Sequence, residues 1–403
     1  MKKISFFLSL SIMLISGYTA NAQCTFTGDL NFTTQAQLDA WSPPCSQITV
    51  TGFVNVQGST ITDISKLQNI VQVGSYLQLK SISPIVTSIS SLSNITSVGG
   101  TLVIRDCDGL TSIAPLGGLT SLGGAIIIRD NLNLTSLNGL GNLINPPLTG
   151  GITIYNNTAL SDISAINYGI INGLLEINSN PALTSLGTLS SITNITGLLK
   201  ITLNNSLANI NDLTGLTSVG GNVEITSNNA LTSISGLSSL TSAGGSLYVR
   251  TNPLLSNLTG LDNLTSLGAG AAIDVKDNTI LKSLCGLNAL VASGNFTTYV
   301  VTGNGYNPLL SNFPTACQDL TNTTNYKSFE FLSYPNPVNN QLNICIDREA
   351  TYALSNLSGQ KVMVGSLTNG ENSINASNIT TGMYILEISD LFGLKYSAKI
   401  LKE

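Results

Sequence analysis

GGTLVIRDCDGLTSIAPL from Gly99, GGAIIIRDNLNLTSLNGL from Gly123, GGNVEITSNNALTSISGL from Gly220 and GGSLYVRTNPLLSNLTGL from Gly244 are variants of one phrase. Its frame is G-G-x-L-x-I-x-x-N-x-x-L-T-S-L-x-x-L. The Asn recurs at Asn131, Asn157, Asn180, Asn204, Asn228, Asn252 and Asn278, at intervals of 23 to 26 residues. Cys107 takes that place one turn earlier, and Ile82 and Ser59 take it in two degenerate turns. Repetition at this period marks a stacked array, and about ten turns cover residues 48–290.

The physics of one turn follows from its pattern. The L-x-I alternation is a short strand with two inward side chains, such as Leu102 and Ile104 or Val223 and Ile225. Later positions such as Leu231, Ile234 and Leu237 also face inward. Five apolar residues per turn cannot bury themselves alone, whereas stacked turns share a continuous core. The Gly-Gly pairs fit corners that need either positive φ or close backbone approach. An Asn at every bend can satisfy backbone groups of neighbouring turns, so the Asn column is expected to form a ladder.

The phrase LTSxGG-x-L-x-I-x-x-N-x-x-L-TSL resembles the leucine-rich-repeat superfamily, and within it the receptor L-domain of insulin-receptor-type ectodomains and fungal cell-wall proteins. The resemblance spans about 60% of the chain. Pectate-lyase-like β-helices share the period and the Asn ladder, but they favour Val and Ile on three sheets, unlike the Leu-rich third side here. The resemblance implies a right-handed parallel β solenoid and a role in recognition. Residues 23–47 are expected to cap its N-terminal end, with Thr33 or Thr34 starting a short helix that ends near Trp41. Residues 291–320 lack the frame and are expected to cap the other end.

Residues 1–22 read as a secretory signal peptide. Lys2 and Lys3 precede the apolar run Ile4 to Ile15, and Ala20-Asn21-Ala22 fits a small-x-small cleavage rule, so the mature chain is expected to begin at Gln23. A lipid anchor on Cys24 is disfavoured because Gln23 stands where such signals carry Gly or Ala. No other stretch approaches the roughly 20 apolar residues of a membrane helix. Export permits disulfides, and the cysteines flanking the two caps predict Cys24–Cys45 and Cys285–Cys317 bridges, with Cys107 and Cys345 left reduced.

A polar linker, residues 321–328, leads into a different module at 329–403. Alternating apolar segments between Gly and Asn turns predict six or seven strands of a small antiparallel β-sandwich. Tyr334-Pro335-Asn336-Pro337-Val338, then Leu342 and Ile344, Leu357-x-Gly359-x-x-Val362, Gly382-x-Tyr384-Ile385 and the terminal Lys399-Ile400-Leu401-Lys402 resemble the type A C-terminal sorting domain of the Bacteroidota type IX secretion system. That resemblance implies passage to the outer-membrane surface, recognition by the secretion machinery and removal by a sortase-like peptidase. It further implies release of the product or its attachment to lipopolysaccharide. The alternative is an ordinary accessory sandwich.

Composition excludes several function classes. The chain has no His, so Ser-His-Asp triads, Cys-His pairs and His-bearing metal sites are out. Its net charge is −5, and −7 without Lys2 and Lys3, which argues against nucleic acid. No CxxC pair supports zinc or thiol redox chemistry. The expectation is a non-enzymatic secreted or cell-surface binding or adhesion protein without cofactor or metal, the alternatives being an extracellular polysaccharide-active β-helix enzyme or a structural surface component with no specific ligand.

The outward strand positions form two columns. Glu176, Lys200 and Glu224 lie in one as alternating charges, a solvating feature worth tenths of a kcal/mol. Lys80, Arg105, Arg129 and Tyr155 lie in the other, a basic-aromatic patch suited to an anionic glycan or an extracellular protein, with Asp106 and Asp130 placed to offset the arginines. Asp106, Asp108 and Asp130 raise calcium or a glycosidase carboxylate pair as alternatives, although Asp is common in turns for turn reasons. N-x-S/T triplets, as at Asn94, Asn194 and Asn263, are expected by chance in a chain this rich in Asn and Thr.

Overall fold

The computed structural model describes residues 22–143, 149–166, 168–310, 313, 332–346, 349–368, 370–390 and 395–403. Residues 1–21 of the expected signal peptide, the expected linker 321–328 and Cys317 lie outside these residues. The chain divides into two units, Met1–Leu320 and Thr321–Glu403.

The first unit is a parallel β solenoid. Its long side is a twelve-stranded sheet in which each strand pairs in parallel with the strand one turn on, from Leu30–Phe32 to Thr298–Thr302. The second side carries two five-stranded parallel sheets. The third side is a series of short 3-10 turns, each presenting Leu to the core, as at Leu92, Leu116, Leu213 and Leu237. Val223, Ile225, Leu231, Ile234 and Leu237 of one turn are all buried, in a single core that runs through the whole unit. Each such side chain contributes about 1.5–3 kcal/mol, which no single turn could collect without its neighbours.

Both ends extend further than the repeat frame does. Residues 23–47 are not only a cap: Gln23–Phe26 and Leu30–Phe32 pair in parallel with Gln47–Val50 and Val54–Gln57. The helix Gln35–Ala40 sits within this turn, started by a Thr34 capping box and closed at Trp41, with Leu38 buried. Cys24 and Cys45 are disulfide-bonded across a separation of 21 residues, a constraint of roughly 3 kcal/mol in the chain-entropy account. At the far end, Thr298–Thr302 adds a strand beside Ala272–Lys276, so the segment expected to cap this end carries a further strand of the long sheet. Cys285 is disulfide-bonded. Cys107 is free and buried, and Cys345 is free and exposed. Burial pushes the Cys107 thiol up to about 12.

The bend after each strand is built twice over. Asn131, Asn157, Asn180, Asn204, Asn228, Asn252 and Asn278 are fully buried. Each backbone N–H donates to the Oδ1 of the next Asn in the column, at 2.9–3.2 Å from Asn131 to Asn252. Each Nδ2 donates to a strand carbonyl of the preceding turn, as Asn204 does to Ile177 at 2.8 Å. The column starts at Cys107, whose N–H donates to Asn131, and ends on Asn304 and Asn307. Immediately before it runs a column of left-handed residues: Ser81, Asp106, Asp130, Asn156, Ser179, Leu203, Ser227, Thr251 and Asp277, with φ from 49° to 59°. None is Gly. Each donates its N–H to the strand end one turn on, as Leu203 does to Thr226 at 3.2 Å.

The Gly-Gly pairs of the four quoted turns therefore serve close approach rather than positive φ, whereas Gly151 of the Gly150-Gly151 pair holds φ 59°. A Cβ at Gly244 would lie 2.1 Å from the Gly220 carbonyl oxygen, and one at Gly123 would lie 2.2 Å from that of Gly99. The left-handed strain is carried by side-chain-bearing residues, and the least suited are Leu203 and Thr251. Leu203 is 45% exposed, so little packing is at stake. Leu203→Asn is expected to stabilise the chain by about 1 kcal/mol, read as a higher denaturation midpoint at unchanged slope. An unchanged or lower midpoint would show that the bend does not strain Leu203.

The second unit is an antiparallel sandwich of a three-stranded and a four-stranded sheet. Val338, Leu342, Ile344, Leu354, Leu386, Ile388 and Ile400 fill the space between them.

Candidate functional site

Strand register places the predicted patch in one row. Lys80, Arg105, Arg129 and Tyr155 are directly opposite one another on four successive strands. The strands are about 4.8 Å apart, and all four side chains share the solvent face. Gln78, Val103, Ile127 and Thr153 form the parallel row two residues back.

The two halves of this sheet face treat charge differently. In the C-terminal half the charges are committed to one another. Lys200 Nζ lies 2.9 Å from Glu176 Oε1, which also accepts from Asn178 at 3.0 Å. Glu224 accepts from Asn222 at 3.0 Å, so it leaves the expected charge ladder for a neighbour on its own strand segment. Arg250 grips Asp274 with two nitrogens, Nε at 2.8 Å and Nη2 at 2.5 Å, and its guanidinium lies 4.4 Å from the Tyr248 ring centroid. Lys276 reaches the same carboxylate at 3.1 Å. Burial raises the Asp274 carboxyl, but the hydrogen bonds and charges of Arg250 and Lys276 outweigh it and hold the group below its ordinary range.

In the N-terminal half the cations are barely engaged. Arg105 lies 3.7 Å from Asp106 and Arg129 lies 3.6 Å from Asp130, each too far for a good hydrogen bond. Among the described residues neither guanidinium has a hydrogen-bond acceptor, Lys80 has no ion-pair partner, and the Tyr155 hydroxyl is unpartnered. Asp106 and Asp130 do offset the arginines, as their positions predict, but weakly. Asp130 also accepts from Asn156 at 2.8 Å, and Asp108 accepts from the Leu132 N–H at 3.3 Å. The three aspartates thus face different partners, and among the described residues no group of three or more metal-ligating side chains converges.

Sequence reasoning missed the amide file on the adjoining row. Gln78 Nε2 donates to Asn55 at 2.7 Å, and Asn55 Nδ2 donates to Asn31 at 2.8 Å. Asn55 and Gln78 stand in the outward column, but Asn31 falls in a segment read as a cap. The Arg250–Asp274–Lys276 cluster was also missed, because it joins two columns diagonally.

The sorting motifs converge on the last strand. Asn336 Nδ2 donates to the Lys399 carbonyl and its Oδ1 accepts from the Leu401 N–H, both at 2.9 Å. Val338 then bridges Lys402 in parallel. Pro335 and Pro337 flank Asn336 in this docking segment, and the Tyr334 hydroxyl donates to Glu371 at 2.6 Å. Tyr384 is buried and donates to the Thr380 carbonyl at 2.7 Å, an arrangement like the tyrosine corner of other sandwiches. Gly359 holds φ 82° at a hairpin turn with open space around its Cα, so there the backbone angle alone calls for Gly. Gly382 opens the strand Gly382–Asp390, Lys399 is exposed, and Lys402 is buried with Nζ donating to the Glu403 carbonyl.

The secretion system C-terminal sorting domain family matches residues 333–403. No curated protein and no solved structure matches the chain. The tail marks cargo of the type IX secretion system, which interacts with the secretion machinery and is exported to the cell surface or the extracellular space. Among the described residues no helix is long and apolar enough to cross a membrane.

Proposed function

We propose that the chain is a binding protein displayed at or released from the cell surface, and that the row Lys80, Arg105, Arg129 and Tyr155 engages an anionic extracellular ligand. The observation that carries this reading is the contrast between the two halves of one sheet face: one satisfies its charges internally, and the other leaves three cations and a phenol with unspent donors. Like charges on adjacent strands cost free energy, and a bound anion would offset that cost. The likeness of the repeat phrase to receptor L-domains accords with recognition. The reading is of binding rather than catalysis, since the chain has no His and the most buried carboxylate of this face, Asp274, is held ionised by two cations.

The test compares two arginine sites in the full chain. Arg105→Ser with Arg129→Ser is expected to change stability by less than about 0.5 kcal/mol per site while abolishing retention on carboxylated or sulfated polymer beads. Arg250→Ser is expected to cost about 2 kcal/mol by stripping a buried carboxylate of its bidentate partner, and to leave retention intact. Retention that survives the double substitution, or a double variant as destabilised as Arg250→Ser, would overturn the reading.

A further inference from the structure

We infer that the ligand is a linear acidic polysaccharide, carrying one carboxylate per sugar and lying across the strands along the solenoid axis. This rests on the reading of the row as a binding surface and adds the ligand's chemistry and direction. Three facts bear on it.

The first is spacing. Lys80, Arg105 and Arg129 are locked one strand apart by parallel register, about 4.8 Å each. An extended peptide presents side chains on one side every second residue, about 6.6 Å apart, so over two steps an acidic peptide falls out of step by about 4 Å. A string of single pyranose rings, each with one carboxylate, advances by close to one strand spacing per ring, and the long Lys and Arg side chains can reach either flank of it.

The second is the floor. Val103 and Ile127 lie between Gln78 and Thr153 in the adjoining row, half-exposed on an otherwise polar sheet. Such a floor suits the C–H faces of sugar rings, and Tyr155 stands at the end of the cation row, where a ring can stack on it. The third is hydrogen-bonding polarity. The amide file runs Gln78 to Asn55 to Asn31, each Nδ2 or Nε2 donating toward the N-terminal end. Gln78 Oε1 is thereby left as an acceptor beside Val103, and an acceptor there selects a hydroxylated ligand over a bare polyanion.

The test is calorimetric titration of the full chain with oligogalacturonates of two to six units, with polyglutamate of matched charge and with fully methyl-esterified oligogalacturonate. Affinity is expected to rise with length up to four units, the number of strands from Lys80 to Tyr155, and then to level off. Esterification should remove binding, Arg105→Glu and Arg129→Glu should each weaken it roughly tenfold or more, and Tyr155→Ala should weaken it several-fold without moving the melting temperature. Polyglutamate binding as tightly as the tetramer, and lost in the same arginine variants, would keep the row as an anion site and overturn the polysaccharide. Binding of none of the acidic probes, or binding indifferent to both arginines, would overturn the row itself.

Discussion

A chain ending before Ser333 is expected to fold its solenoid and fail to reach the cell surface. The matched sorting domain occupies 333–403, and the solenoid core has its own closed set of residues among the described ones. The sandwich likewise fills its core from its own strands. Removing it therefore takes away the signal and none of the residues that form the solenoid core, and protein is expected to accumulate inside the outer membrane, folded by circular dichroism and absent from surface-protease digests. Fusing the same residues to an unrelated exported protein should bring that protein to the surface. Normal surface display of the truncated chain would remove the basis for reading the sandwich as the export signal.

Asn204→Val should be among the most damaging single substitutions in the solenoid. The Asn204 amide accepts from the N–H of Asn180 and donates to Ile177 and Thr202, at 3.0, 2.8 and 3.1 Å. Valine is close in size but makes none of these bonds, and it takes the amide partner from the buried Asn180 N–H and from the Ile177 carbonyl, while the Thr202 carbonyl keeps the Ser179 N–H at 2.9 Å. Each such group costs about 1–3 kcal/mol, so a loss of about 3 kcal/mol or more is expected. Because each turn touches only its neighbours, the lesion should split unfolding into two phases in a denaturant titration. Replacing the residue at the column's N-terminal end, Cys107→Val, should cost far less, since the Cys107 sulfur makes only weak hydrogen bonds, to the Ile82 backbone and to the Arg105 carbonyl at 3.2 Å, and the bond from its own N–H to Asn131 survives. Equal costs at the two positions would mean that the amides do not hold the stack.

The central turns were legible because a period of two within strands and of about 24 between turns fixes side-chain direction and neighbours together. That is why the two outward columns, including Lys80, Arg105, Arg129 and Tyr155, could be written down in register. The end turns were not legible. Leu30-Asn31-Phe32 and Thr298–Thr302 lack the Gly-Gly and Leu-Thr-Ser frame, because an end turn need not admit a neighbour's backbone on both sides. Asn304 carries the ladder on from Asn278 all the same. The left-handed column was hidden for another reason: its residues are Ser, Asp, Asn, Leu and Thr, and glycine, the usual marker, is absent. In the sorting module the motif residues were readable, but their joint use was not. Asn336 meets a strand 63 residues away, and nothing local announces that contact. Pairing of charges was the least legible feature, since Arg250 and Arg105 occupy equivalent outward positions yet one is clamped and the other is open.

The most direct test places the whole account on the cell. Cells displaying the full chain and cells displaying Arg105→Glu with Arg129→Glu, matched for surface amount by antibody, are incubated with fluorescent polygalacturonate. The account predicts labelling of the first and background labelling of the second, with neutral dextran binding neither. Equal labelling of the two at equal surface amount would contradict it.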